Sequence, residues 1–204
     1  MIIYNRNQRS QDYQQIKDSY RPGHADLVYD IKYGFRDYRG GGRSSGRETA
    51  ARVAAGAIAK KILSSLGVTV LAYTLSIGNI RINREQFDIE EVLRNPMAMP
   101  DAEAAQKAAQ LIQQLRQEGD SAGGIIECIV QGLPAGVGEP VFEKLDAALA
   151  KAILSIGAVK GIEFGRGFEV SQMRGSENND GYQMGPEGKI KKLSNNSGGI
   201  VGGI

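Results

Sequence analysis

The chain predicts a mixed α+β fold, an α/β layered architecture with helices packed on sheet, and three observations carry that reading. Segments with apolar residues at helical spacing alternate with short β-branched runs. Helix boundaries are marked by capping residues and by glycine. Of the 204 residues, 41% are hydrophobic but only 6% aromatic, so a core can form with few large anchors. The length suits one domain or a little more.

From the N-terminus, residues 5–23 are polar, with a short helix expected over 11–19 ahead of Arg21-Pro22. Residues 24–39 alternate aromatic and charged side chains (Tyr29, Tyr33, Phe35, Tyr38) and read as a short helix followed by loop. Ser45 opens the clearest helix. With Glu48 it makes an S-x-x-E capping box, in which the hydroxyl takes a backbone N–H and the carboxylate reaches back. Val53, Ile58, Ile62 and Leu63 follow at helical spacing, Lys60 and Lys61 suit the negative end of the dipole, and Gly67 suits the stop.

Residues 68–80 read as one strand, and 82–99 as irregular chain broken by Pro96 and Pro100. Asp101 is an N-cap for a helix to about residue 118, with Ala104, Ala108, Leu111, Ile112 and Leu115 on one face. Residues 123–132 look like a buried strand leading to LPAGVGEP, and Cys128 within it like a small buried hydrophobe. An amphipathic helix is expected over 141–155, carrying Phe142, Leu145, Leu149 and Ile153. Strands are expected at 159–164 and 168–173, divided by Gly165-Arg166-Gly167. Residues 174–199 read as an exposed or ligand-ordered loop, with the KIKK cluster at 189–192 solvated.

Composition excludes several classes. A net charge of +2 and a pI near 8.6 carry no whole-chain nucleic-acid signal. One cysteine excludes an internal disulfide and a multi-cysteine zinc site, and no metal is expected. No apolar stretch approaches the ~18 residues of a membrane span, and MIIYNRNQRSQDY is not a signal peptide. The expectation is a soluble, cytoplasmic protein. Both ends look cut: Met1 opens an apolar segment that turns polar at once, and SNNSGGIVGGI stops without a polar cap.

The chemistry concentrates in residues 21–61. Up to Glu48 this span holds five arginines (Arg21, Arg36, Arg39, Arg43, Arg47) and His24, the chain's one histidine. Gly40-Gly41-Gly42 lets the backbone approach a ligand, Ser44 and Ser45 supply hydroxyls, and the helix start supplies free N–H groups. Arg43 and Arg47 flank this loop, and guanidinium groups grip a phosphate or carboxylate bidentately. Neither a P-loop nor a dinucleotide-binding spacing is present. These residues read as an anion site, against a plain flexible loop with a capped helix. His24, beside Pro22 and Gly23, suits a general acid to a phosphate leaving group, against a structural histidine. The basic and aromatic residues of 32–39 also suit single-stranded nucleic acid, but Asp26, Asp30 and Asp37 would repel its backbone.

RPGHAD, KYG-x-RDYRGGGRSS-x-RET and RVAAGAIAKK, in that order, resemble the chorismate synthase family. EGDS-x-GG, G-L-P-A-G-x-G-E-P-V-F, S-I-x-A-V-K-G-x-E and the terminal SGGI-x-GGI extend the resemblance over essentially the whole chain. It implies a β-α-β sandwich, present here as one partial domain over residues 1–204, and a homotetramer when complete. It further implies 1,4-anti elimination of phosphate from 5-enolpyruvylshikimate 3-phosphate to give chorismate, with reduced FMN and no net redox change. By the same resemblance His24 is catalytic, Arg21 and Arg47 hold substrate, and Arg43, Ser44, Ser45, Gly157, Ala158 and Gly202 contact flavin. Gly157 stands where the family often has Asn, so its contact would be main-chain, and Gly46 replaces a common Ala. The family's G-E-S-H-G segment with a second histidine, and its R-H-D-P segment with an aspartate, do not occur in these residues. The expectation is therefore a chain with negligible activity alone, or a non-catalytic remnant that binds flavin or anions.

Overall fold

The computed structural model describes residues 2–40, 42, 45–186 and 188–204. Along the chain run α1 (Asp26–Tyr33), α2 (Thr49–Ser65), β1 (Thr69–Ile77), β2 (Ile80–Arg81), α3 (Glu91–Arg94), α4 (Ala102–Glu118) and β3 (Gly124–Gln131). α5 (Leu145–Leu154), α6 (Gly175–Asn178), β4 (Tyr182–Met184) and β5 (Ile190–Lys192) follow. Two compact units result, one from Ala57–Leu133 and one from Met1–Gly56 with Pro134–Ile204.

The Ala57–Leu133 unit is built on β1, which pairs antiparallel with β2 on one edge and β3 on the other. Its core holds Tyr73, Leu75, Ile82, Val92, Met99, Ala104, Ala105 and Ala108. The three alanines let the backbone of α4 come close to its neighbours, and Ala108 is fully buried. Asp101 caps α4 as expected: Oδ1 accepts the Ala104 N–H at 3.0 Å, and Oδ2 the Asn83 N–H at 2.8 Å. Gly119 closes the helix in the left-handed conformation. The buried Tyr73 hydroxyl donates to Glu127 on β3, and Arg84 donates to both oxygens of that carboxylate at 2.8 and 3.0 Å. Burial, and then the Glu127 carboxylate, push the Tyr73 phenol up to about 12.

Several expectations need correction here. Residues 68–80 are two strands, because Gly78-Asn79 makes a two-residue turn that pairs Ile77 with Ile80, and Gly78 takes φ +55. The strand at 123–132 forms, but it is exposed and so is Cys128. Among the described residues β3 is paired on one edge only, and Ile126 and Val130 stay exposed. An apolar run specifies a strand but not what covers it.

In the other unit, a 3-10 helix over Ser10–Ile16 stands near the expected 11–19 helix, and α1 supplies the short helix of 24–39. The helix expected over 141–155 begins later, at Leu145. An antiparallel bridge between Glu139 and Glu143 turns the preceding chain, and the Leu145 N–H donates to Gly203 O at 2.8 Å. The strands expected at 159–164 and 168–173 do not form. The first is irregular and Gly167–Gln172 is a 3-10 helix. Gly165 and Gly167 both have positive φ, and short-range bonds from Gly167 N to Phe164 O and Glu169 N to Arg166 O take the groups a sheet would need. Within 174–199, β4 and β5 pair as a hairpin, so Ile190–Lys192 of the KIKK cluster is strand and not loop. Asp180 ties the hairpin to the following chain, accepting from Ser194 Oγ, Asn196 N, and both N and Oγ of Ser197.

A folded-state phenol raised from its ordinary value of 10.0 favours the neutral form on folding. Its stabilising effect is therefore complete below about pH 10 and lost as pH rises towards 12. Denaturant unfolding across that window should show the wild type losing on the order of 2 kcal/mol more than Tyr73→Phe, which lacks the titrating group.

Candidate active site

Arg21-Pro22-Gly23-His24 forms a tight turn, closed by a 3.2 Å bond from the His24 N–H to the Arg21 carbonyl. Proline supplies the first central conformation, and Gly23 supplies φ +68 at the second, the requirement of a type II turn. The turn brings the side chains at its two ends together, with an Arg21 terminal nitrogen 3.2 Å from His24 Nδ1.

Both side chains converge on Asp26, the first residue of α1 and 4% exposed. Arg21 donates to it three times: backbone N to Oδ2 at 3.2 Å, Nε to Oδ2 at 2.8 Å, and a terminal nitrogen to Oδ1 at 2.9 Å. His24 Nδ1 stands 3.0 Å from Oδ1, and Arg36 3.4 Å from the same oxygen. Arg36 also reaches Asp30 at 3.3 Å and donates to the carbonyls of Lys17 and Ser19 at 2.6 and 2.8 Å. The Arg21 guanidinium holds the Asp26 carboxyl well below the usual carboxylate range, against the upward push of burial.

Arg47 lies in a second cluster. It donates to Asn5 Oδ1 at 2.5 Å and the Asn7 carbonyl at 3.4 Å, both neutral oxygens. With Asn7, Gln8, Arg9, Asp12 and Tyr13 it lines an open groove of about 390 Å³. Tyr13 links the two clusters, since Arg21 sits 5.9 Å from its ring centroid. Gly40 packs on the same ring: a Cβ there would fall 2.5 Å from it, and φ is +72.

Among the expected flavin contacts, Arg43 and Ser44 lie outside the described residues. Ser45 is the expected cap, with its hydroxyl accepting the Arg47 N–H at 3.3 Å, but a 3-10 turn over Gly46–Glu48 precedes α2. Gly157 and Ala158 occupy the turn after α5, closed by Val159 N to Ile156 O at 3.3 Å. Ala158 has φ +69, rare for a residue with a side chain. Arg52 on α2 donates to Ser155 Oγ and O at 2.8 and 3.1 Å, which tethers this turn to the helix that begins just after Arg47. Gly202 (φ +68) belongs to the C-terminal turn. Among the described residues, no hydrogen bond or ion pair joins either turn to Arg21, His24 or Arg47. Sequence reasoning missed Asp26, Arg9 and Tyr13. The signal for Asp26 was present, a carboxylate five residues beyond Arg21 and two beyond His24, but it read as repulsion towards a phosphate backbone.

Chemically, the site offers a half-exposed imidazole backed by a fixed carboxylate, beside a groove lined by Arg9 and Arg47. That suits an anion that must receive a proton.

Asp26→Asn should destabilise the chain by about 3 kcal/mol at neutral pH, because the nearly buried Arg36 loses a carboxylate partner. A depressed carboxyl pKa stabilises above the unfolded value and loses that effect as pH falls. The difference between wild type and variant in denaturant unfolding should therefore narrow below about pH 4. Gly40→Ala should cost 1 kcal/mol or more, at least about the strain of a left-handed L-residue, and tyrosine fluorescence should report a displaced Tyr13.

The family model for chorismate synthase matches residues 1–204. The chain is 60% identical over 204 residues to chorismate synthase of Lachnoclostridium phytofermentans, covering 100% of this chain and 56% of that protein. It is 56% identical to that of Agathobacter rectalis, covering 100% and 55%, and 54% identical over 206 residues to that of Methanosarcina mazei, covering 100% and 56%. A chorismate synthase crystal structure superposes with a TM-score of 0.79 at 34% identity, over 88% of this chain and 58% of that one. The chain spans about half the length of the curated relatives it matches. Matched by the family model from end to end, with more than half of its residues identical to those relatives, it belongs to the chorismate synthase family.

Proposed function

We propose that these residues form one partial domain carrying half of an active site for the family's reaction. That reaction is the 1,4-anti elimination of phosphate from 5-enolpyruvylshikimate 3-phosphate to give chorismate. The observation that carries this reading is the turn that sets Arg21 against His24, backed by Asp26 and linked through Tyr13 to the Arg47 groove. Arg47 donates to neutral oxygens, so its charge serves an anionic substrate. Arg21 holds substrate from a position already braced by Asp26. His24 gives a proton to the departing phosphate oxygen, so that no fully charged leaving group is released.

Reduced FMN is the proposed cofactor, and the residues present fit it. A Cβ built at Gly157 or Gly202 meets nothing within 4 Å, so the backbone at each is open to the main-chain contact proposed for it. Ser45, Gly157, Ala158 and Gly202, with Arg43 and Ser44, are the residues that would hold it. When bound, the flavin supplies reducing power without net redox change. The complete protein is proposed to be a cytoplasmic homotetramer; among the described residues no helix is long and apolar enough to cross a membrane. A second reading, flavin or anion binding without turnover, is favoured by the single histidine in these 204 residues.

Anaerobic phosphate release with reduced FMN and substrate, run beside fluorescence titration with FMN, tests both. The expected outcome is saturable FMN binding with negligible phosphate release, since catalytic groups that act as a unit fail together. Release at the rate of a full-length relative would overturn the need for a second histidine. Absence of FMN binding would overturn the flavin reading.

A further inference from the structure

Tyr13 lines the Arg47 groove, and among the described residues its hydroxyl neither donates nor accepts a hydrogen bond. Its ring, by contrast, is half-buried and held by two contacts. The Arg21 guanidinium stands 5.9 Å from the ring centroid, and Arg21 is itself fixed by its bonds to Asp26. Gly40 leaves the room that the far end of the ring fills: a Cβ there would fall 2.5 Å from Cζ and 2.7 Å from the hydroxyl oxygen. A fixed ring with a free hydroxyl is a donor aimed in advance. The cations around it are also available. Arg9 lines the same groove, and among the described residues its guanidinium has no hydrogen bond or ion pair. Arg47 donates to neutral oxygens. Asp12 adds a carboxylate to the lining, but the two guanidinium groups outnumber it among the described residues.

We propose that Tyr13 is a further substrate-binding residue, whose hydroxyl donates to an anionic oxygen of the substrate that Arg9 and Arg47 hold in the groove. The substrate of the proposed reaction carries a phosphate and carboxylates, and a guanidinium leaves some of their lone pairs open. A hydroxyl aimed at such an oxygen adds a charge-assisted bond that a point charge cannot direct. The ring cannot swing away without displacing Gly40 or Arg21, so an oxygen bound to the hydroxyl is placed relative to the Arg21–His24 turn. The proposal rests on the groove being the substrate site, which Arg47 tests separately.

Tyr13→Phe removes the hydroxyl and keeps the ring on Gly40 and Arg21, so the variant should unfold at the wild-type temperature. Calorimetric titration with 5-enolpyruvylshikimate 3-phosphate should show saturable binding to the wild-type chain, weakened about tenfold or more by Tyr13→Phe. Arg9→Gln, which breaks no bond among the described residues, should weaken it as well. Wild-type affinity in folded Tyr13→Phe, with binding lost in Arg47→Gln, overturns the role of Tyr13 and leaves the groove as the substrate site. Unchanged affinity in Arg47→Gln, or no binding by the wild type, overturns the groove reading and the proposal with it. If Tyr13→Phe does not fold, Arg9→Gln decides, and wild-type affinity there overturns the proposal.

Discussion

Asp26 is a buried carboxylate gripped by two guanidinium groups, and the conformation of residues 17–36 depends on it. Removing such a charge from water is costly, and the cost is offset only where hydrogen bonds fill its lone pairs. Here three donors come from Arg21, one approach from Arg36, and one from His24. Those contacts determine where the RPGH turn sits, since both its ends are attached to the first residue of α1. Arg36 extends the same network to the chain after the first 3-10 helix, through Lys17 and Ser19. One charge thus organises a region that contributes little apolar core.

This changes how the arginine cluster is to be understood. Five arginines within residues 21–47 suggest a large positive surplus aimed at a ligand. In the fold, Arg21 and Arg36 face Asp26 and Asp30, and Arg39 closes on Asp37 at 2.8 Å. The aspartates that seemed to argue against a polyanion are the partners that hold these cations in place. Among the described arginines of that set, Arg47, whose bonds go to neutral oxygens, is the one that lines the groove, joined there by Arg9 from outside it.

Legibility followed the range of the forces involved. The caps at Asp101 and Ser45, the stop at Gly119 and the RPGH turn depend on residues within a few positions, and they were readable. Gly165 and Gly167 were readable as breaks, but their local bonds absorbed the groups that flanking strands would have needed. The β4–β5 hairpin was hidden because its anchor, Asp180, works through Ser194, Asn196 and Ser197, residues that look like any polar loop. Cys128 was misplaced for a related reason: the strand around it is correct, and its exposure depends on what lies across the sheet. At the site, the family pattern named His24, Arg21 and Arg47, while the carboxylate that orients two of them emerged only from the distances.

A general acid needs a proton at the atom facing its substrate and a fixed ring to deliver it from. Exposure of the imidazole edge meets the first need and works against the second, because a half-exposed ring is free to rotate unless something holds its other side. Asp26 is buried where His24 is exposed, so one face of the pair is rigid and the other accessible. The tether from Arg52 to Ser155 acts in the same way beside the turn after α5, attaching the strained Gly157-Ala158 turn to α2 while a Cβ at Gly157 would meet nothing within 4 Å. In both places a buried or doubly bonded anchor positions an exposed group, which is the arrangement a site requires when its ligand supplies the remaining contacts.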